Sequence, residues 1–141
     1  MDRRSFIKKY STITLAGGCC TSLLVGCQTT PKVKPNLLKT GGNNEVTVNK
    51  SILNADNFVV LQTDTLKFPI FLHKQNHQYT ALLMSCTHQK CTLSVAEDNL
   101  ICPCHGAKFN KSGTVLKGPA EKDLLALQLI ENEDKVTIQL P

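Results

Sequence analysis

Short alternating or apolar runs, separated by polar turns, make up the chain from residue 45 onward. Residues 45–48 alternate between polar and apolar side chains, as expected of a strand with one buried face. Residues 58–61 are all apolar, which is typical of a short strand buried on both faces. No segment shows a convincing 3.6-residue helical period. The pattern therefore predicts a domain of short β-strands.

Two hairpins follow from the same pattern. Residues 68–73 and 79–84 flank a polar turn, and so do residues 125–130 and 135–139. Residues 125–130 also resemble a helix fragment, and the pattern leaves that alternative open. Many short strands joined by polar turns predict an all-β fold, either a sandwich or a barrel.

The first 26 residues have the layout of an export signal. A short basic start, which includes Arg3 and Arg4, precedes 17 mildly apolar residues at positions 10–26. The arginine pair, followed by Phe6 and Lys8, resembles a twin-arginine signal. The alternative is a chance arginine pair before a signal anchor.

Residues 24–27 read Leu-Val-Gly-Cys and resemble a bacterial lipobox, in which the cysteine carries a lipid. This predicts lipidation of Cys27. The alternative is an uncleaved anchor, since 17 residues lie at the short limit of a membrane span. Residues 27–44 contain two prolines and two glycines with little apolar period, which predicts a flexible tether. Residues 45–141 are then the folded domain.

Composition and charge favour one small globular domain and exclude some classes of function. The length of 141 residues and the 41% apolar content suit one small globular domain. Of the net charge of +5, the first 26 residues account for +3, because they hold four basic side chains and one acidic one. The remaining +2, the absence of tryptophan and the presence of only seven aromatic residues argue against a nucleic-acid binder.

Two short segments carry the candidate chemistry. Residues 86–91 read Cys-Thr-His-Gln-Lys-Cys, and residues 102–106 read Cys-Pro-Cys-His-Gly. Four thiols and two imidazoles allow a Cys₂His₂ zinc site, although zinc fingers normally pair two cysteines and two histidines separately. Here each segment offers one thiol, one imidazole and one extra thiol.

These two motifs closely resemble those of the Rieske iron–sulfur family, of the disulfide-bearing kind found in cytochrome bc complexes. The resemblance implies an antiparallel β-sandwich with a small cluster-binding subdomain of two loops. It implies one 2Fe-2S cluster, with Cys86 and Cys102 on one iron and His88 and His105 on the other. It also implies a disulfide between Cys91 and Cys104. Of the other three cysteines, Cys19 and Cys20 lie in the leader and Cys27 directly follows it.

This ligand set favours a high reduction potential. With two thiolates instead of four, the oxidised cluster is neutral, and such centres lie at roughly −150 to +300 mV. The free imidazole nitrogens can carry protons, and their pKa is expected to be higher in the reduced state. Such a site accepts an electron and a proton together, which is what a quinol releases.

Several positions depart from the family pattern. Ala107 and Phe109 stand where a serine and a tyrosine commonly donate hydrogen bonds to cluster sulfurs, which predicts a potential low in the Rieske range. Lys90 replaces a glycine, so the first loop is expected to be built differently. Gln89 replaces a shielding leucine, which puts a dry quinone pocket in doubt.

Other positions near these loops have simpler interpretations. Residues 118–120, Gly-Pro-Ala, resemble the proline loop that covers the cluster, although an ordinary turn is the alternative. Four lysines surround the two loops in the sequence, at positions 90, 108, 111 and 117. Such lysines are usually solvated, and the alternative is that they steer an acidic partner. His73 and His77 are expected at the surface.

The resulting hypothesis is an exported, membrane-tethered Rieske protein of the bacterial cell envelope, held on the periplasmic or outer side. It passes single electrons from a quinol-oxidising or substrate-oxidising partner to a cytochrome-like acceptor, as a component of an oxidoreductase rather than a stand-alone enzyme. The alternatives are the Rieske subunit of a cytochrome bc complex and the small subunit of a periplasmic molybdenum oxidase. A structural zinc module is the non-redox alternative.

Overall fold

A computed structural model describes residues 36–38, 44–53 and 57–141. These residues form twelve strands and one 3₁₀ turn at Lys50–Ile52. The strands are β1 (Asn36–Leu38), β2 (Glu45–Asn49), β3 (Phe58–Thr63), β4 (Ile70–Gln75), β5 (Gln78–Leu83), β6 (Ser94–Ala96), β7 (Asn99–Ile101), β8 (Lys108–Asn110), β9 (Val115–Lys117), β10 (Ala126–Leu127), β11 (Leu129–Glu131) and β12 (Lys135–Gln139).

The strands form three sheets. The central sheet has the order β1-β3-β4-β5-β10, a second sheet has the order β11-β12-β2, and a third has the order β6-β7-β8-β9. In the described residues every strand pair is antiparallel except β1 with β3. The predicted all-β antiparallel fold is confirmed. The third sheet is called the cluster sheet below, because it carries one of the two candidate loops and follows the other.

The middle strands of the central sheet are buried on both faces. Phe58, Phe71 and Leu82 belong to a core that also contains side chains of the cluster sheet. Their neighbours Val59 and Leu72 belong to a second core, shared with β2 and β12. Successive side chains of a strand point to opposite faces, so β3 and β4 must be apolar at nearly every position. This explains the continuous apolar run at residues 58–61.

The two predicted hairpins form, with one difference. β4 and β5 are joined through Asn76 and His77, both at positive φ, as in the tight turns that match the twist of a hairpin. Residues 125–130 are not helical. They split at Gln128 into β10, which pairs with β5, and β11, which pairs with β12. The split lets one segment join two sheets, and periodicity alone does not reveal it.

The predicted leader lies outside the described residues, and so do most residues of the predicted tether. Within the tether, β1 pairs in parallel with β3, with Leu37 opposite Gln62. No helix in the described ranges is long and apolar enough to cross a membrane.

His73 is not at the surface, contrary to the sequence-based expectation, whereas His77 is exposed as predicted. His73 is only 6% exposed, and its ring stacks on Phe71 with the centroids 5.7 Å apart. The cluster sheet covers this end of β4, which a hairpin pattern cannot show. Burial and the nearby Lys111 ammonium lower the pKa of His73 below its ordinary value of 6.5.

We expect acidification to destabilise the fold through His73. Because the folded-state pKa is lowered, the unfolded chain binds this proton more readily than the folded chain. The contribution of His73 to the free energy of unfolding is complete above about pH 7 and falls as the pH drops through about 6.5 towards the lowered value. Urea unfolding at several pH values should show a smaller decrease for His73→Gln than for the wild type. His77→Gln is the control, and an equal decrease in His73→Gln contradicts the assignment.

Candidate metal centre

The first loop, residues 86–91, follows β5 and is closed at its base. Ser85 and Thr92 form an isolated antiparallel bridge across that base. The backbone N–H of Cys86 donates to the carbonyl of Cys91 at 2.9 Å, and the N–H of Lys90 donates to the carbonyl of Cys86 at 2.8 Å. The loop is therefore a tight turn whose first residue is Cys86.

The second loop, residues 102–107, joins β7 to β8 and repeats this hydrogen-bond pattern. The N–H of Cys102 donates to the carbonyl of Ala107 at 2.8 Å, and the N–H of Gly106 donates to the carbonyl of Cys102 at 2.9 Å. The spacings equal those of the first loop. Cys86 and Cys102 thus occupy equivalent first positions in two similar turns.

The fifth position of each turn has a left-handed backbone. Gly106 has φ +74, and a Cβ placed there meets no atom within 4 Å, so the conformation rather than crowding favours glycine. Lys90, at the equivalent position, has φ 54. The expectation that lysine would change the loop is therefore wrong. The closing hydrogen bonds outweigh the ~1–2 kcal/mol that this conformation costs a non-glycine residue.

The first residues of the two turns form a buried thiol pair. Cys86 and Cys102 are each 1% exposed and lie in the same core, and their thiols interact electrostatically. Burial raises the pKa of the Cys86 thiol, and the Cys102 thiol raises it further, while the backbone N–H groups of His88 and Gln89 act in the opposite direction. N–H groups directed at a sulfur favour its thiolate form. Burial disfavours an uncompensated thiolate, and the positive charge of a bound metal removes that penalty. The pair therefore fits metal-bound thiolates.

The two loop histidines form an exposed imidazole pair. The rings of His88 and His105 are perpendicular, with centroids 5.2 Å apart, and both residues are exposed. His88 is the third residue of its turn and His105 is the fourth of the other turn. The structure thus brings the predicted ligands together as a buried thiol pair and an exposed imidazole pair.

A disulfide joins the two loops, as predicted, between Cys91 and Cys104, whose Cα atoms are 6.5 Å apart. The sulfurs of Cys91, Cys102 and Cys104 lie within 4.8 Å of one another. Because two of these three sulfurs are bonded to each other, only Cys102 of this group keeps a free thiol. The donor set that remains in the two loops is Cys86, Cys102, His88 and His105.

A third segment packs beside the first loop. The hydroxyl of Thr87 donates to the carbonyl of Lys122 at 2.6 Å. Gly118 and Pro119 are joined by a cis peptide bond, and Ala120 is buried in the core that contains both thiols. This segment is the one that resembles the family's proline loop, and Thr87 connects it to the loop between Cys86 and His88.

Replacing Thr87 with valine should loosen this connection. Valine keeps the shape of the side chain but cannot donate the hydrogen bond to Lys122, which is worth about 0.5–1.5 kcal/mol. The free energy of unfolding should fall by that amount in urea titrations. Thr92→Val is the control, because Thr92 is exposed and has no side-chain hydrogen bond among the described residues. Equal losses in both variants contradict a specific role for Thr87.

The positions where the family commonly has hydroxyls are apolar and fully buried. Ala107 and Phe109 are each 0% exposed and lie in the core that contains both thiols. One hydroxyl that the sequence analysis missed lies close by in the chain, at Ser85. Its oxygen is buried and has no hydrogen-bond partner among the described residues. Its position directly before Cys86 was the only signal in the sequence.

Replacing Ala107 with serine should raise the reduction potential. A hydroxyl donated to a cluster sulfur favours the more negative, reduced form. We expect a rise of roughly 60–130 mV, because such a bond to a charged group is worth about 1.5–3 kcal/mol and 1.4 kcal/mol equals about 59 mV for one electron. A redox titration followed by EPR measures the shift. Ala81→Ser, a buried alanine in the other core, is the control, and no rise in Ala107→Ser refutes the explanation.

Comparison with known proteins gives a consistent result. The Rieske [2Fe-2S] domain family matches residues 43–131. The cytochrome b6-f complex iron-sulfur subunit of Cyanothece is 37% identical over 54 residues, which are 37% of this chain and 30% of that protein. The chloroplastic b6-f subunit of Oryza sativa is 31% identical over 101 residues, which are 70% of this chain and 40% of that protein. The matches thus span less than half the length of these curated relatives.

Solved structures agree with the sequence matches. The cyanobacterial plasma membrane Rieske protein from Synechocystis superposes with a TM-score of 0.57 and 29% identity, over 67% of this chain and 98% of that chain. A chain of hyperthermophilic respiratory Complex III, at 23% identity and a TM-score of 0.54 over 68% of this chain and 74% of that chain, shares the fold. The predicted family and cofactor are confirmed: this chain belongs to the Rieske [2Fe-2S] family and is an electron-transfer protein with a 2Fe-2S cluster.

Proposed function

We propose that Cys86 and Cys102 bind one iron of the cluster and that His88 and His105 bind the other. The equivalent positions of the two cysteines in their turns and their burial in one core support the thiol assignment. The adjacent rings of His88 and His105, both exposed, support the imidazole assignment. The disulfide links the two loops, so it holds the two donors of one loop beside the two donors of the other.

We further propose that the chain is an exported, membrane-tethered carrier of single electrons. The cluster supplies a site that accepts and releases one electron. The observation that carries the role as an electron carrier is the exposure of the imidazole pair, because it lets a partner protein or a quinol approach within contact distance of the ligands. Export and tethering are proposed from the sequence of residues 1–27. The thiol pair, in contrast, is closed off by the core. The donor is a quinol-oxidising or substrate-oxidising partner, and the acceptor is cytochrome-like.

A second candidate is a Rieske subunit of a cytochrome bc complex that oxidises quinol. The identity to cytochrome b6-f iron-sulfur subunits favours it. In that role the exposed His105 accepts a hydrogen bond from the quinol. The small subunit of a periplasmic molybdenum oxidase is a further alternative, but no contact among the described residues favours it.

Purification from native membranes separates these functions. The full chain carries an affinity tag, and the proteins that remain bound after mild detergent extraction are identified. Co-purification of a cytochrome b in fixed proportion establishes the bc-complex subunit. A carrier instead leaves the column without cytochrome b and is re-oxidised by an added soluble cytochrome. If it neither binds a redox partner nor is oxidised by one, both functions are contradicted.

The membrane tether at Cys27 has its own test. Cys27→Ser should move the protein from the membrane fraction to the soluble envelope fraction, while the cluster spectrum stays unchanged. Cys20→Ser, inside the same leader, is the matched control. Retention of Cys27→Ser in the membrane instead supports an anchor formed by residues 10–26. Replacement of both Arg3 and Arg4 by lysine should block export if the leader is of the twin-arginine type.

A further inference from the structure

A cavity of about 290 Å³ opens between β4 and the loops at the ends of the cluster sheet. Its lining residues are His73, Gln75, Asp98, Asn110, Lys111 and Ser112. None of the four proposed iron ligands lines it. The cavity is thus separate from the candidate metal centre, and the redox function does not account for its polar side chains.

His73 supplies a buried polar group to this cavity. The residue is 6% exposed, and its imidazole has no hydrogen-bond partner in the part of the chain that the structure describes. The ring nitrogens are not fully enclosed, because among the described residues the fully buried, unpaired side-chain atom is the Ser85 oxygen, so they remain available to a ligand in the cavity. Phe71 stacks on one face of the ring, which leaves the in-plane ring nitrogens able to bond to a group in the cavity that His73 lines.

Lys111 supplies a cation that is weakly neutralised. Its side chain is 20% exposed, and its ammonium lies 3.0 Å from the carboxylate of Asp98. The Asp98 side chain is 91% exposed, so water screens this ion pair and it contributes little. An anion inside the cavity can replace the Asp98 carboxylate at small cost.

The remaining polar groups are mainly donors. The side-chain oxygen of Asn110 already accepts the backbone N–H groups of Ser112 and Thr114, at 3.0 and 2.8 Å. Its amide NH₂ is left as a donor, and the hydroxyl of Ser112 can donate as well. Apart from the Asp98 carboxylate and the side-chain oxygen of Gln75, the cavity therefore offers hydrogen-bond donors, the Gln75 NH₂ among them, around one ammonium and one imidazole.

We propose that this cavity binds a small oxyanion, of the carboxylate or tetrahedral sulfate and phosphate type, between Lys111 and His73. An anion beside the imidazole favours its protonated form, so binding takes up a proton on His73. The charged or titratable groups that line the cavity with His73 are Lys111 and Asp98. Of these, Lys111 opposes protonation until an anion is bound.

A divalent cation fits the same cavity poorly. One imidazole and one carboxylate are too few ligands for a tight site, and the Lys111 ammonium both occupies the carboxylate and repels a second cation. The two ligand classes make opposite predictions for Asp98. Removal of its carboxylate weakens a cation site but strengthens an anion site, since it removes the competing negative charge.

Calorimetric titration of the full-length holoprotein tests the proposal. Sodium sulfate and sodium acetate are titrated separately at about pH 5.5 and 7.5, with sodium chloride keeping the ionic strength equal. We expect saturable binding that tightens by up to about tenfold per unit of falling pH, since one proton is taken up. Preference for sulfate or for acetate then identifies the type of oxyanion.

Four variants make the outcome specific. Lys111→Gln should abolish binding, His73→Gln should remove its pH dependence, and Asp98→Asn should tighten it severalfold. Lys135→Gln removes an exposed lysine of β12 and should bind like the wild type. The proposal is overturned if neither anion binds more tightly than chloride, if Asp98→Asn weakens binding, or if Lys135→Gln loses as much affinity as Lys111→Gln.

Discussion

Replacing His88 with serine is expected to abolish the cluster while the fold remains. The imidazole is exposed and adds nothing to the core, so its loss should leave the free energy of unfolding of the cluster-free chain nearly unchanged. The iron that it binds in the proposed assignment, however, loses one of two protein ligands. We expect the iron and sulfide content and the visible absorption of the purified protein to fall close to zero.

A second exposed histidine gives the matched control for this variant. His77 lies in the turn between β4 and β5 and belongs to neither loop. His77→Ser should keep the full content of iron and acid-labile sulfide and the wild-type spectrum. If His88→Ser keeps the wild-type spectrum, His88 is not a ligand and the proposed arrangement is wrong.

Removing the disulfide is expected to give the largest loss of fold stability. The bridge between Cys91 and Cys104 spans a sequence separation of 13. In the chain-entropy model, a closed loop of about 15 residues stabilises the folded state by about 3 kcal/mol. The double variant Cys91→Ala/Cys104→Ala should therefore unfold with a free energy lower by about that amount. Both cysteines are replaced, so that no unpaired thiol is left beside Cys102.

Chemical reduction provides the control for the disulfide variant. A thiol reductant should lower the free energy of unfolding of the wild type by a similar amount, because it opens the same bridge. It should leave the double variant unchanged. If the variant and the wild type unfold at the same urea concentration without reductant, the bridge does not stabilise the fold.

Apart from β1, the strands of the central sheet and of the second sheet (β11-β12-β2) could be predicted from the sequence. Alternation at residues 45–48 identified β2, and the continuous apolar run at 58–61 identified β3, because burial on both faces leaves no polar positions. The strands β6 to β9 were not identified. Each is only three residues long, which is too short for a local period to identify a strand.

The chemical identity of the site was equally visible in the sequence. The motifs at residues 86–91 and 102–106 resemble those of the Rieske family, and that resemblance implied both the cofactor and the disulfide. The backbone of the first loop was not predictable, because hydrogen bonds that form only in the folded turn hold Lys90 at positive φ. The burial of His73 was also missed, since it depends on the covering cluster sheet, which packs there from a distant part of the chain.

The coordination of one iron by two imidazoles is the central claim, and pulsed EPR tests it most directly. The reduced protein is prepared with ¹⁵N-labelled histidine and, separately, with histidine of natural isotopic abundance. The assignment of His88 and His105 predicts two strongly coupled nitrogens that both change with the label. A spectrum with no strongly coupled histidine nitrogen, or with only one, would contradict it.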